Sequence, residues 1–297
     1  MEWLLEPFTC DVCAFMRTAL VAGLVTVVVT SVVGTWVVLR GMTFMGDALA
    51  HGVLPGLTLA HLLGFNLGVG AAVAAGIMIA GLSIVHRRAR LTEDAGIGLL
   101  FVGMLALGVL IASKAQSFAG DLTAILFGDV LGVTTGDIRM AALSSVTVLA
   151  ASALLYRPLL VLSFDRRKAE ALGMRPELAH AAMLVLLAVA IVASFRAVGT
   201  LLVFSFIVAP PATAALIVRR VPAMMAAATG FGALAVVAGL LASFHLGTAG
   251  SATMATLAVV EFFVILTVRE LHHRPGARRG GRDALRGPEP AARGVRR

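Results

Sequence analysis

Asp47 and His51 are the residues of this chain whose types and spacing most clearly indicate chemistry. They stand four residues apart in the stretch 45–56, MGDALAHGVLPG, inside an apolar run. On a helix, residues four apart share one face, with Cβ atoms about 6 Å apart. An imidazole and a carboxylate so placed predict a two-ligand clamp for a transition metal ion.

Pro55 follows His51 by four residues. A proline inside a helix has no N–H to donate to the carbonyl four residues earlier, which here is the carbonyl of His51. The spacing therefore predicts a helix break at Pro55. It also predicts that the imidazole, the carboxylate and the released carbonyl converge.

Asp47 needs an explanation because a charged group at membrane depth costs at least about 2.5 kcal/mol. Such residues usually face a cavity, a partner or a transported ion. The alternative is structural: Asp47 caps the start of a helix, and His51 satisfies a neighbouring carbonyl.

The composition indicates a membrane protein. Of the 297 residues, 59% are hydrophobic and 13% charged, against about 25% charged residues in a soluble domain. The predicted fold class is all-α: a polytopic transmembrane helical bundle of nine spans, within a range of eight to ten. The apolar runs of spanning length lie at 17–39, 45–63, 67–85, 95–113, 138–156, 178–195, 198–218, 222–243 and 251–268. The shorter run 118–134 is interpreted as re-entrant.

Positive charge orients these spans. All but four of the 24 lysines and arginines fall in segments that an outside amino terminus would place in the cytoplasm, as the positive-inside rule requires. No cleavable signal peptide is expected in the acidic segment 1–16. The permease domain is predicted at 17–268, and a basic, disordered cytoplasmic tail at 269–297. We interpret this arginine-rich tail as a contact for anionic lipid, not as a nucleic-acid site.

Several other residues are second-rank candidates. Asp121 and Asp129 lie in a glycine-punctuated stretch and could attract a cation or serve as turn residues. His245 precedes the last span and Glu261 lies within it, where a carboxylate is protonated, paired or part of an ion path. Cys10 and Cys13 form a C-x-x-C pair without a matching second half, which is a weak signal for metal or redox chemistry.

Two further segments are predicted to serve transport. Pro210 and Pro211 release the carbonyls of two preceding residues, so we expect a helix break bordering the pathway. The cytoplasmic stretch 163–174 predicts a short amphipathic helix with Phe164 and Ala169 on one side and Gly173 as its stop.

The motif around Asp47 and His51 resembles the signature of the ABC-3 family, the membrane permeases of bacterial zinc and manganese ABC importers. Arg40-Gly41 before it is part of the resemblance, which extends from about residue 15 to 268. Further similar stretches are LFGDVLG at 126–132, Phe164-Asp165 with Ala169 and Gly173, and VGTLL at 198–202 leading to PPATA at 210–214.

The resemblance implies a homodimeric permease in a bacterial cell membrane, with a pathway between the protomers. It implies two cytoplasmic ATPase subunits and an extracytoplasmic metal-binding protein that delivers the ion. Asp47 and His51 match positions that face the metal. Phe164, Asp165, Ala169 and Gly173 match the coupling helix that docks onto the ATPase.

The chemistry favours a transported ion over a permanently bound cofactor. Imidazole with carboxylate suits Zn²⁺ or Mn²⁺, and we place zinc first because His245 could join. The chain has no phosphate-binding loop of the G-x-x-x-x-G-K-[ST] type, so ATP would be used by a partner subunit. The alternatives are a proton-coupled secondary transporter using Asp47 and Glu261, an importer of metal chelates, and an intramembrane metalloenzyme, which lacks H-E-x-x-H.

Overall fold

The computed structural model describes residues 14–88, 92–114, 133–164 and 173–273. Every regular element within these ranges is a helix, so the predicted all-α membrane bundle is confirmed. The helices are α1 Ala14–Leu39, α2 Thr43–Gly52, α3 Leu54–Leu62, α4 Leu67–Arg88, α5 Glu93–Ala112, α6 Thr135–Leu154, α7 Tyr156–Phe164, α8 Pro176–Val198, α9 Thr200–Ile217, α10 Val221–Leu246 and α11 Gly250–His273.

Eight of the described helices are long and apolar enough to cross a membrane singly: α1, α4, α5, α6, α8, α9, α10 and α11. The predicted span 45–63 is not one helix. It consists of α2, with 10 residues, and α3, with 9, joined through Val53. An interruption of this span was predicted, but at Pro55 and not at Val53.

Helix α1 is the centre of the bundle. Two thirds of its apolar window, 67%, is buried, against 17% for α11. It packs against α6, α8, α9 and α10, and its Trp36 meets Tyr156 edge to face with ring centroids 5.5 Å apart. The outer helices leave most of their apolar surface exposed, as expected for surfaces that face lipid or a second protomer.

The predicted break at Pro210 and Pro211 is absent. Helix α9 runs through both prolines, which are buried inside the bundle. Pro211 cannot donate to the Ile207 carbonyl, and this oxygen lies directly against Gly34 of α1, where a Cβ atom would overlap it. A neighbouring helix that covers the released carbonyl lets α9 continue, as membrane helices commonly allow.

Some predictions fall outside the described residues. These are Cys10, Cys13, Asp121, Asp129, Asp165, Ala169, the centre of the re-entrant stretch and the tail beyond 273. Helix α11 continues to His273, so the start of the tail predicted at 269 is helical. That prediction was wrong because the charges beginning at Arg269 end the apolar run without ending the helix.

Candidate metal pathway

Helix α2 places Asp47 and His51 beside each other. Gly41, at φ +67°, turns the chain between α1 and α2, a conformation that favours glycine. The residue before α2 is Met42, which makes no side-chain capping bond. Asp47 lies in the helix interior, so the alternative in which it caps the helix start is wrong.

The two side chains form a direct pair, with His51 Nε2 and Asp47 Oδ1 3.3 Å apart. The side chains are 28% and 25% exposed, respectively, so a ligand can reach them in the isolated protomer. Ligand atoms bonded at about 2.1 Å in a tetrahedral metal site stand about 3.4 Å apart. The observed separation therefore suits two ligands of one ion, and the predicted shared face is confirmed.

The break beside the pair lies at Val53, not at Pro55. Helix α2 ends at Gly52 and α3 begins at Leu54, while Val53 keeps one helical hydrogen bond on each side: its N–H donates to the Leu49 carbonyl at 3.3 Å, and its carbonyl accepts from Leu57 at 3.1 Å. Pro55 lies in the first turn of α3, where a helix needs no N–H from it. Side chains lean toward the amino terminus of a helix, so the His51 ring meets Asp47 while its carbonyl points to the break. The predicted convergence of this carbonyl with the pair is wrong.

A cavity of about 250 Å³ opens onto the pair. One wall carries Asp47, His51, Leu54 and Thr58 from α2 and α3. The opposite wall is the face of α5 that carries Phe101, Leu105, Gly108, Val109 and Ala112. The hydroxyl of Thr58 donates to the Pro55 carbonyl at 3.0 Å. Asp47 and His51 thus supply the two ionisable side chains of an otherwise mainly apolar cavity.

Small residues bring the broken segment close to its neighbours. Gly56 of α3 and Gly70 of α4 cross with their backbones in contact, and a Cβ atom on either would overlap the other's carbonyl. The same contact includes Ala60 and Ala74, one turn further along each helix. This small-xxx-small pattern is typical of close helix packing in membranes.

Other sequence candidates lie apart from the pair. His245 is in the last turn of α10, and Glu261 is within α11. These helices pack mainly against α1, α9 and each other, whereas α2 packs mainly against α5 and α9. Within the described residues, no group of three or more His, Cys, Asp or Glu side chains could hold a metal ion together.

The predicted coupling segment is described only at its ends. Phe164 ends α7 with its side chain 71% exposed, and Gly173 has φ +71°, which suits a helix stop. Beyond Gly173, α8 connects to the clamp region through Arg40, whose Nη1 lies 2.8 Å from His180 Nδ1. The role of the segment in coupling stays a prediction.

Phe101 of α5 was missed by the sequence analysis. Phe101 meets His51 with ring centroids 6.1 Å apart and an interplanar angle of 62°. Gly108 lies against Leu54 and Pro55. Nothing in the local pattern of α5 marks Phe101, because its partner His51 is about fifty residues earlier in the chain.

The helical membrane bundle has a cavity lined by an Asp–His pair, and comparison with known proteins shows which class of membrane protein it is. The sequence matches the ABC 3 transport family over residues 12–269, and the chain belongs to that family. It is the membrane permease of an ABC transporter rather than its catalytic subunit, and a multi-pass protein of a bacterial membrane.

Individual relatives agree with this assignment. The chain is 35% identical over 251 residues to the manganese transport system membrane protein MntC of Listeria monocytogenes, covering 84% of this chain and 89% of that protein. It is 36% identical over 263 residues to the manganese import system permease protein ScaB of Streptococcus parasanguinis, covering 87% and 94%. The solved structure of PsaBC from Streptococcus pneumoniae in complex with Fab matches with a TM-score of 0.79 and 30% identity, covering 89% of this chain and 94% of that one.

Proposed function

We propose that this chain is the permease subunit of an ATP-driven importer of divalent transition metal ions, with Asp47 and His51 on the ion path. The observation that carries the proposal is the 3.3 Å pair beside a mainly apolar cavity. Placing a carboxylate at membrane depth costs free energy. Binding of a transported cation would explain why Asp47 lies there.

The pair would hold the ion weakly, as transport requires. One protomer supplies two ligands, and a closed structural zinc site has four. Two protomers related by a twofold axis would bring two such pairs together around one ion. Part-exposed side chains at the protomer surface support this homodimeric arrangement.

Energy would come from a separate ATPase dimer, and an extracytoplasmic metal-binding protein would deliver the ion. Binding and hydrolysis of ATP would move the coupling segment 163–174, so that Asp47 and His51 face each side of the membrane in turn. Family membership favours this mechanism over proton-coupled transport through Asp47 and Glu261. The arginine-rich tail would contact anionic lipid at the cytoplasmic surface.

For the transported metal, we place manganese first and zinc second. The sequence argument placed zinc first because His245 could add a further imidazole, but α10 does not pack closely on α2. The relatives MntC and ScaB are named for manganese transport and manganese import. An ion that accepts more oxygen ligands also suits a pair completed by water.

The test is uptake of radioactive manganese and zinc, in competition, by cells that express the chain with its ATPase. Asp47→Asn and His51→Gln should each reduce uptake to background at equal membrane abundance, while the ATPase still co-purifies. Matched controls are Asp94→Asn and His61→Gln, two exposed positions outside the cavity, which should keep uptake.

Each result decides a separate part of the proposal. Normal uptake by both clamp variants would show that the pair is structural. Uptake that follows the proton gradient rather than ATP would overturn the ATP-driven mechanism. If zinc inhibits manganese uptake more strongly than manganese inhibits zinc uptake, zinc is the preferred transported ion.

A further inference from the structure

The aromatic ring of Phe101 is held between two side chains of the clamp helix. Phe44 and His51 are seven residues apart on α2, so they lie on one face, and Asp47 lies between them on that face. Phe101 of α5 meets Phe44 with centroids 5.8 Å apart at 71°. It meets His51 with centroids 6.1 Å apart at 62°.

Both contacts have the edge-to-face geometry that aromatic rings prefer. Phe44 therefore fixes Phe101, and Phe101 in turn restricts rotation of the imidazole. The ring also lines the cavity onto which the pair opens. The imidazole thus has the Asp47 carboxylate and this ring as neighbours.

We propose that Phe101 is a positioning residue of the ion path: it holds the His51 imidazole turned toward Asp47 and thereby strengthens binding of the transported ion. The inference rests on the proposed function of the pair. Its physical basis is pre-organisation, since an imidazole that is already oriented loses less conformational freedom when it binds the ion.

The test compares Phe101→Leu with Phe101→Tyr. Leucine keeps an apolar side chain but removes the ring, whereas tyrosine keeps the ring and adds a hydroxyl group beside the cavity. Equilibrium dialysis of radioactive manganese against the purified permease and ATPase complex measures the Kd. Manganese uptake by cells, at limiting and at saturating metal, is measured for the same variants.

We expect Phe101→Leu to raise the Kd about three- to tenfold, the range that corresponds to one aromatic pair. Uptake should fall at limiting manganese and stay near wild type at saturating manganese. Phe101→Tyr should have the wild-type Kd and the wild-type uptake. Phe263→Leu, a ring-to-leucine change on the exposed side of α11, is the matched control and should change neither value.

The inference fails if Phe101→Leu matches wild type in both measurements while Asp47→Asn and His51→Gln abolish uptake. It also fails if leucine and tyrosine are equally impaired, since size and not the ring would then matter. Absence of manganese and zinc uptake by the wild type would instead overturn the proposed function, and this inference with it.

Discussion

Pro55 lies two residues after the break between α2 and α3, whereas α9 continues through Pro210 and Pro211. All three prolines lie in apolar segments and are buried. The difference lies in their neighbours. The Ile207 oxygen released by Pro211 is covered by Gly34 of the central helix, while His51, the corresponding residue for Pro55, stands beside a cavity.

A proline therefore does not by itself break a membrane helix. The chain stays helical at α9, where packing covers the released carbonyl. At α2 and α3 the regular helix is interrupted beside the cavity that Asp47 and His51 line.

The largest effect is expected from Gly34→Ala, which disturbs the contact between α1 and α9. The added methyl group would overlap the Ile207 carbonyl, and α1 is enclosed by four helices, so neither backbone can withdraw. We expect a loss of about 3 kcal/mol in stability, measured as a lower thermal midpoint of the purified protein in detergent. Gly103→Ala is the control, because a methyl group there meets no atom within 4 Å. Equal midpoints for the two variants would contradict the packing argument.

A smaller effect is expected at the broken segment from Gly56→Ala. The methyl group would overlap the Gly70 carbonyl, but α3 and α4 lie at the edge of the bundle and can shift apart. We expect a loss of about 1 to 2 kcal/mol in stability, together with reduced metal uptake because α3 carries one wall of the cavity. Gly76→Ala on α4, with open space around the new methyl group, should behave like wild type. Unchanged uptake and stability in Gly56→Ala would show that this crossing does not position the cavity wall.

The smallest effect is expected from Pro55→Ala. Pro55 occupies the first turn of α3, where its fixed φ mainly restricts the unfolded chain, so its loss should cost less than about 1 kcal/mol. Packing of Gly56 and Gly108 should maintain the break, and uptake should persist. Loss of uptake to the level of Asp47→Asn, at an unchanged thermal midpoint, would instead assign the break to the proline itself.

Local patterns predicted well what depends on local geometry. Asp47 and His51 form their pair as predicted because both lie on one short helix, where the spacing alone brings them together. The same sequence reasoning assigned the break to Pro55 and expected another at Pro210 and Pro211. The first break lies two residues earlier, at Val53, and the second break is absent. The effect of a proline depends on whether a neighbouring helix covers the carbonyl that the proline releases.

The sequence by itself determined the class of protein, the apolar spans and the clamp, since composition and helical period need no knowledge of distant contacts. Only the tertiary structure decided where the second span breaks, that α5 supplies the facing wall with Phe101, and that His245 and Glu261 lie on helices apart from the pair. Each of these depends on which helices meet in space. In a membrane that choice is made by close packing of small residues and covered carbonyls, because lipid provides no hydrophobic force between helices.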